Sequence, residues 1–185
     1  MNIKNKVDHN EESVSNDKST FTALIQNIEV ELYNVAKNKV SNVHDIDDII
    51  QETIIKIYKN YDSLKNIQSF KPWAIKILLN ECNKLYKTKY KEALLLNKIV
   101  NKNTIQEEDS SITNFENDLC FKELLKHLST VEQNIFILHY QCNYSTKEIS
   151  EILCLNENTI KSKLKRSKTK IKEKYMKGGD NKNEF

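Results

Sequence analysis

Apolar residues recur every three or four positions over most of residues 21–91, which is the period of an amphipathic helix. These stripes predict three helices around one small core, with residues 62–69 as a loop. We predict that Asp45 caps the second helix, with Asp47 and Asp48 in its first turn, and that Pro72 lies in the first turn of the third. The stripes are Phe21, Leu24, Ile25, Ile28, Leu32 and Val35; Ile46, Ile49, Ile50, Ile54, Ile57 and Tyr61; Trp73, Ile77, Leu78 and Leu85.

A second block of helical periodicity occupies residues 117–176. Within it, Ser129 with Glu132 and Ser145 with Glu148 each have the spacing of a capping box at a helix start. Residues 92–116 between the blocks end in a polar, aperiodic stretch, which indicates a linker. Residues 1–20 and 177–185 are polar tails, and the first is predicted to be disordered. The chain therefore reads as two small helical domains joined by a flexible linker.

Composition favours an all-α protein, because two glycines and one proline in 185 residues leave few turn formers for a β sandwich or barrel. The four cysteines stand singly, and no histidine lies at metal-ligand spacing to them. Reduced core thiols in a cytoplasmic protein are therefore favoured over a zinc site or disulfides. No apolar run approaches the roughly 20 residues that span a bilayer. We expect no metal, no cofactor, no signal peptide and no membrane insertion.

Positive charge is concentrated near the C-terminus, where residues 161–177 hold nine cations against one acid, Glu173. Before this run, a short capped helix and a tight turn lead to Asn156, a good cap for a second helix. A lysine-rich helix alone is usually a solvated face. Following a capped helix and a turn, it is typical of a groove-reading helix, so the segment indicates DNA binding. The predicted buried positions are Ile149, Ile152 and Leu153, then Ile160, Leu164 and Ile171.

Four motifs, in order, resemble those of the ECF (extracytoplasmic function) sigma factors of bacterial RNA polymerase. Residues 45–52, DIDDIIQE, are similar to the acidic helix of the family's second region, and residues 73–80, WAIKILLN, to the helix that follows. Residues 145–153 and 159–167 resemble the helix-turn-helix of its fourth region. The chain departs from the pattern at three positions. Cys154 and Asn158 stand where glycine is usual, and Lys163 stands where arginine is usual.

The resemblance implies a non-enzymatic role in promoter recognition, with core RNA polymerase and promoter DNA as partners. It implies that residues 21–91 bind polymerase and the −10 element, and that residues 117–176 bind the −35 element. An exposed face of carboxylates and amides offers acceptors to a basic partner helix. The candidate polymerase-binding residues are Asp47, Asp48, Gln51, Glu52 and Ile55.

The DNA contacts that the resemblance implies fall into two sets. Strand opening at the −10 element needs pockets for unstacked bases and cations for the backbone, whereas Trp73 is interpreted as core. The −10 candidates are Ser69, Phe70, Lys71, Lys76, Asn80, Lys84 and Lys87. The −35 candidates near base edges, at the front of the second helix, are Asn158, Thr159, Lys161, Ser162 and Lys165. Those for phosphates are Lys163, Arg166, Lys168 and Lys170, and Ser145 and Thr146 complete the −35 set.

Two other classes of protein are weighed against this interpretation. A stand-alone helix-turn-helix activator would use its first unit for dimerisation or ligand binding, and would need neither the acidic face at 48–52 nor the helix at 73–80. An enzyme of nucleic-acid metabolism is disfavoured because the chain shows no metal cluster, phosphate loop or nucleophile–base pair. The sequence leaves open whether an anti-sigma factor is a further partner.

Overall fold

The computed structural model describes residues 18–99 and 124–179. This part of the chain is helical and without strands, which confirms the all-α prediction. Residues 1–17, 100–123 and 180–185, which include most of the predicted tails and linker, lie outside it. The helices are α1 (Lys18–Lys39), α2 (Val43–Asn60), α3 (Phe70–Ile99), α4 (Thr130–Tyr140), α5 (Thr146–Leu153) and α6 (Glu157–Gly179).

Helix α2 begins earlier than the sequence indicated. Its cap is Asn42, whose side-chain oxygen accepts a hydrogen bond from the backbone N–H of His44 at 2.9 Å. The prediction that Asp45 caps this helix is therefore wrong, and Asp47 and Asp48 lie beyond the first turn. Asn42 has an equivalent acceptor and comes first in the chain, so it satisfies the free N–H groups of the helix start. Asp45 instead pairs with Lys89 of α3 at 2.5 Å.

The connection from α2 to α3 consists of two short 3-10 turns, Tyr61–Ser63 and Ile67–Ser69. Pro72 lies in the first turn of α3, as predicted, where its missing N–H costs no helical hydrogen bond. The helix then continues past residue 91 to Ile99, so the beginning of the predicted linker is helical. The residues there include three leucines, an alanine and a glutamate, which are good helix formers, and no glycine or proline interrupts them.

Helices α4, α5 and α6 of the second unit each begin at a predicted cap. Both capping boxes form: the Ser129 N–H donates to the Glu132 carboxylate at 2.9 Å, and the Ser145 N–H donates to the Glu148 carboxylate at 2.8 Å. Asn156 caps α6 as predicted, its side-chain oxygen accepting from the Asn158 N–H at 2.9 Å. Side-chain acceptors thus satisfy backbone donors at all three helix starts.

The turn between α5 and α6 depends on a left-handed residue. Cys154 has φ 53° and ψ 46°, and its neighbour Leu155 donates from its N–H to the Ser150 carbonyl at 3.0 Å. This is the usual way for a helix to end in a tight turn, although glycine ordinarily occupies the left-handed position. Cys154, which stands where glycine is usual, therefore adopts the left-handed conformation that glycine favours.

The two units share one apolar core, which the sequence did not predict. Buried residues form a continuous cluster from Leu32 of α1 and Leu78 of α3 to Ile149 and Ile152 of α5. Lys39 lies at this junction, only 5% exposed, and its ammonium donates to the Asn134 side chain of α4. Burial lowers the pKa of Lys39 to about 8, because desolvation disfavours the charged form. The described structure is therefore a closed arrangement of the two units.

Replacing Cys154 with glycine tests the cost of the left-handed turn. We expect Cys154→Gly to raise the free energy of unfolding by about 0.5–1 kcal/mol, because a side chain in this conformation costs roughly 1 kcal/mol. Asn143, with φ 57°, is the matched control. Asparagine tolerates this conformation, so Asn143→Gly should change stability little. Urea unfolding followed by circular dichroism measures both; equal effects of the two changes would contradict the assignment.

The Glu132 carboxylate ties the α4 cap to α6 and should make stability depend on pH. Hydrogen bonds from Lys170, at 2.9 Å, and from the Ser129 backbone lower the pKa of Glu132 to about 2. The stabilisation is complete above the ordinary value of 4.5 and is lost as pH falls from 4.5 towards 2. We expect Glu132→Gln to destabilise the protein by about 1–2 kcal/mol at pH 7.

The same unfolding measurement at several pH values decides this prediction. The difference between wild type and Glu132→Gln should shrink as pH falls through the window from 4.5 towards 2. Glu173→Gln, which removes an exposed carboxylate from α6, is the control and should leave stability within about 0.5 kcal/mol. A deficit in Glu132→Gln that stayed constant down to pH 2.5 would refute the linkage.

Candidate polymerase and nucleic-acid interfaces

Helix α2 presents one acidic and amide face to solvent. Successive turns place Asp48, Gln51 and Ile55 on the same side of the helix, with Asp47 and Glu52 beside them. All five side chains are exposed, and Ile55 is 45% accessible in spite of being apolar. The structure therefore brings the whole predicted polymerase-binding set together on one surface.

Tyr58 extends this face and was missed from the sequence. It is 62% exposed and follows Ile55 by three positions, which places both on the same side of α2. The three-residue spacing of Ile55 and Tyr58 is the sequence signal for this surface. The more regular isoleucine stripe on the opposite side of α2 indicates only the core. Two exposed apolar residues within an acidic surface are the arrangement expected of a protein-binding patch.

A groove of about 220 Å³ separates the acidic face from α3. Lys56 spans its edge, with its ammonium 3.7 Å from Glu52 and 2.5 Å from Glu81. Lys84, predicted from the sequence as a −10 contact, lines the same groove as Asp48. Lys84 therefore lies beside the predicted polymerase-binding surface, and it is the one cation of the −10 set found there.

The −10 set is divided by the structure. Phe70 is only 2% exposed and packs against Tyr61 and Trp73, with ring centroids 6.2 and 6.1 Å away. Its prediction as a DNA contact is wrong, because its ring is part of the core of the first unit and cannot reach a base. Trp73 is half-buried against this core, as predicted. The set members that lie on the surface are Ser69, Asn80, Lys84 and Lys87.

Lys71 and Lys76 are half-buried against the second unit. The Lys71 ammonium lies 2.9 Å from the Glu31 carboxylate and 5.4 Å from the ring centre of Tyr144. The Lys76 ammonium donates to the Cys154 sulfur at 3.1 Å, next to the turn of the helix-turn-helix. In the closed arrangement, two cations predicted for the −10 backbone are therefore already engaged.

The hydroxyls of Ser145 and Thr146 hold the helix-turn-helix together. The Ser145 hydroxyl belongs to the capping box of α5, and the Thr146 hydroxyl donates to the Glu157 carboxylate of α6 at 2.7 Å. The ammonium of Lys161, 2.8 Å away, and then the Thr146 hydroxyl lower the pKa of Glu157. This network fixes the start of α6 against the start of α5.

The remaining −35 candidates form the outward side of α6. Its inward side carries Ile160, Leu164 and Ser167, all buried. Lys168 lies over the Tyr140 ring at 5.2 Å, which places its charge at the junction of α6 and α4. Thr159 and Lys163 are half-buried, and the exposed members are Asn158, Lys161, Ser162, Lys165, Arg166, Lys168 and Lys170. The Lys170 ammonium is already paired with the Glu132 carboxylate at 2.9 Å.

Within residues 18–99 and 124–179, no group of side chains has the composition of a metal site. No helix in the same ranges is long and apolar enough to cross a membrane. The candidate surfaces of the described chain are the acidic face of α2, the polar side of α3 and the cationic side of α6.

Comparison with known proteins bears on both units. Residues 24–92 match the family "Sigma-70 region 2", and residues 118–171 match "Sigma-70, region 4". The RNA polymerase sigma factor SigV of Bacillus subtilis (strain 168) is 26% identical over 150 residues, covering 81% of this chain and 87% of SigV. The ECF RNA polymerase sigma factor SigW of the same organism is 23% identical over 168 residues, covering 84% and 89%. The chain belongs to the ECF sigma factors.

Solved structures show the same fold for this sigma factor. RpoE from Bartonella quintana, in complex with the anti-sigma factor NepR, superimposes with a TM-score of 0.61 at 21% identity, covering 84% of this chain and 96% of RpoE. CnrH, in complex with the cytosolic domain of CnrY, gives 0.57 at 18% identity, covering 84% and 87%. Sigma factors serve transcription initiation by RNA polymerase and are not enzymes in general. The comparisons support this function and not a stand-alone activator.

Proposed function

We propose that this sigma factor binds core RNA polymerase through the exposed face of α2 and reads promoters at two points. In this proposal α3 faces the −10 element and α6 faces the −35 element. The main support for this proposal is the separation of charge between the two units. Carboxylates and exposed apolar side chains lie together on α2, while the outward side of α6 is cationic. One surface suits a basic protein and the other suits a phosphate backbone.

The α2 face has both parts of a protein-binding site. The side chains of Ile55 and Tyr58 expose apolar surface to solvent in the free protein. Asp48 and Gln51 surround this surface with hydrogen-bond acceptors. Apolar anchors provide most of the affinity of such interfaces, and charged neighbours provide orientation and association rate. A basic helix of polymerase is the kind of partner that fits.

The α6 face has the arrangement of a recognition helix. The network of Thr146, Glu157 and Lys161 holds its first turns against α5, and Asn158 and Ser162 lie exposed there, where base edges are reachable. Lysine supplies a flexible point charge that suits phosphates, whereas the rigid guanidinium of arginine can bind guanine with two donors. We infer that the lysines of α6 bind the DNA phosphate backbone strongly and that only a few side chains discriminate between bases.

The −10 element would meet the polar side of α3. Asn80 and Lys87 are exposed there, and Lys71 and Lys76 join them when they are released from the second unit.

Because both partners, polymerase and promoter, are in the bacterial cytoplasm, the protein would act there. The complexes of RpoE with NepR and of CnrH with CnrY support proposing an anti-sigma partner here as well.

Charge reversal on α2 tests the polymerase site. We expect Asp48→Lys to weaken binding to core polymerase at least about tenfold, because a lysine facing a basic partner helix is repelled. Glu29→Lys makes the same change on an exposed position of α1 and should bind like wild type. Titration of labelled polymerase with each full-length protein measures the affinities. Equal binding by Asp48→Lys and Glu29→Lys would reject α2 as the docking face.

Two lysines of α6 separate base reading from phosphate anchoring. We expect Lys161→Ala to change the order of preference among promoters, because Lys161 lies at the front of the helix. Lys168→Ala should weaken all promoters alike, by roughly 1 kcal/mol or about fivefold, since it removes a phosphate contact and the stacking on Tyr140. Run-off transcription from a promoter panel measures both. Uniform losses for both variants would eliminate this division of roles.

A further inference from the structure

One carboxylate at the junction of the two units has partners in both of them. Glu31 of α1 accepts a hydrogen bond from the Tyr144 hydroxyl at 2.5 Å and pairs with the Lys71 ammonium of α3 at 2.9 Å. Lys71 in turn lies 5.4 Å from the centre of the Tyr144 ring. Tyr144 is 5% exposed and leads directly into the capping box of α5. These three residues therefore join α1, α3 and the helix-turn-helix.

The geometry points to an autoinhibitory latch, formed by Glu31, Lys71 and Tyr144, that holds the two DNA-binding units closed. This inference rests on the proposed two-point promoter reading. It goes further by naming the contact that must break before reading can occur. The latch competes with DNA because the carboxylate that binds Lys71 also repels an approaching phosphate.

Distance along the promoter requires the units to separate. The −10 and −35 elements are about 25 base pairs apart, which is roughly 85 Å of B-form duplex. In the closed arrangement both units contribute to one apolar core, and the Lys76 ammonium touches Cys154 in the turn before α6. A pair of domains in direct contact cannot reach both elements at once. The closed form is therefore incompatible with the proposed promoter complex.

The latch lies at the edge of the junction, beside an open groove. A groove of about 390 Å³ runs beside it between α1 and the turn from α4 to α5, and both Glu31 and Tyr144 line it. The Glu31 and Lys71 side chains are 32% and 44% exposed, so water or a competing charge reaches the ion pair. Hydrogen bonds to charged groups are stronger than those between neutral groups, so the loss of one should shift the closed population several-fold.

Two substitutions weaken the latch without touching a residue proposed to bind polymerase or DNA. Tyr144→Phe removes the hydroxyl and keeps the ring, and Glu31→Gln removes the charge that holds Lys71. Their matched controls are Tyr33→Phe and Glu29→Gln, which make the same changes at exposed positions of α1. Small-angle X-ray scattering of the full-length proteins measures how much of each population is extended. Run-off transcription at limiting sigma concentration measures the effect on function.

We expect both latch variants to increase the extended population about fivefold and to raise promoter-dependent transcripts about three- to tenfold over wild type. The controls should match wild type in both measurements. Scattering curves for the latch variants that coincide with wild type would overturn the latch. Extended variants whose transcript yield does not rise would overturn its inhibitory role. Scattering does not need polymerase, so variants that extend while no protein, wild type included, yields transcripts would instead refute the proposed promoter reading.

Discussion

Apolar burial between α3 and the helix-turn-helix determines the arrangement of the described chain. Leu78 and Leu79 of α3 and Ile149 and Ile152 of α5 are almost completely excluded from water, in a cluster that also includes α1. Burial of a leucine or isoleucine side chain contributes about 1.5–3 kcal/mol, so the seam favours contact between the units. The polar residues at its margin then take up partners across the junction.

Those marginal contacts give the closed arrangement its specificity. An apolar seam tolerates sliding, whereas the Tyr144 hydroxyl, the Lys71 ammonium and the Lys39 ammonium each need an acceptor in a defined place. Glu31 and Asn134 supply these acceptors from α1 and α4. A buried donor without a partner raises the free energy of the folded protein by more than its hydrogen bond would lower it. These contacts therefore favour one relative orientation of the two units. They also connect closure with residues that DNA would use.

The acidic face of α2 and the cationic side of α6 lie on different units, and internal ion pairs increase the contrast between them. Acids that would oppose DNA at the second unit are used inside it: Glu132 binds Lys170, and Glu157 binds Lys161 and Thr146. Lys56 does the same in the first unit by binding the nearly buried Glu81. A net charge of +3 therefore describes neither surface well. What a partner experiences is the local field, which is set by these internal pairings.

Much of the fold and of the site follows from patterns that span one or two helical turns. The capping boxes at Ser129 and Ser145 and the positive φ at Cys154 involve neighbours in sequence, so the chain itself specifies them. The side chains of Asn42 and Asp45 can both accept a hydrogen bond from a backbone N–H at a helix start, so residue type alone does not show which of them is the cap. Phe70 was assigned to DNA because a sequence does not show that Tyr61 and Trp73 surround it.

By itself the sequence determined most of the helices, the caps of α4, α5 and α6, the cationic side of α6 and the acidic side of α2, since each results from local spacing and residue type. Only the tertiary structure decided that Lys71 and Lys76 face the second unit and that Glu31, over a hundred positions before Tyr144, is its partner. The physical reason is the range of the interactions. Caps and periodicity act within a helix, whereas the closure of two units depends on burial between residues that sequence spacing does not relate.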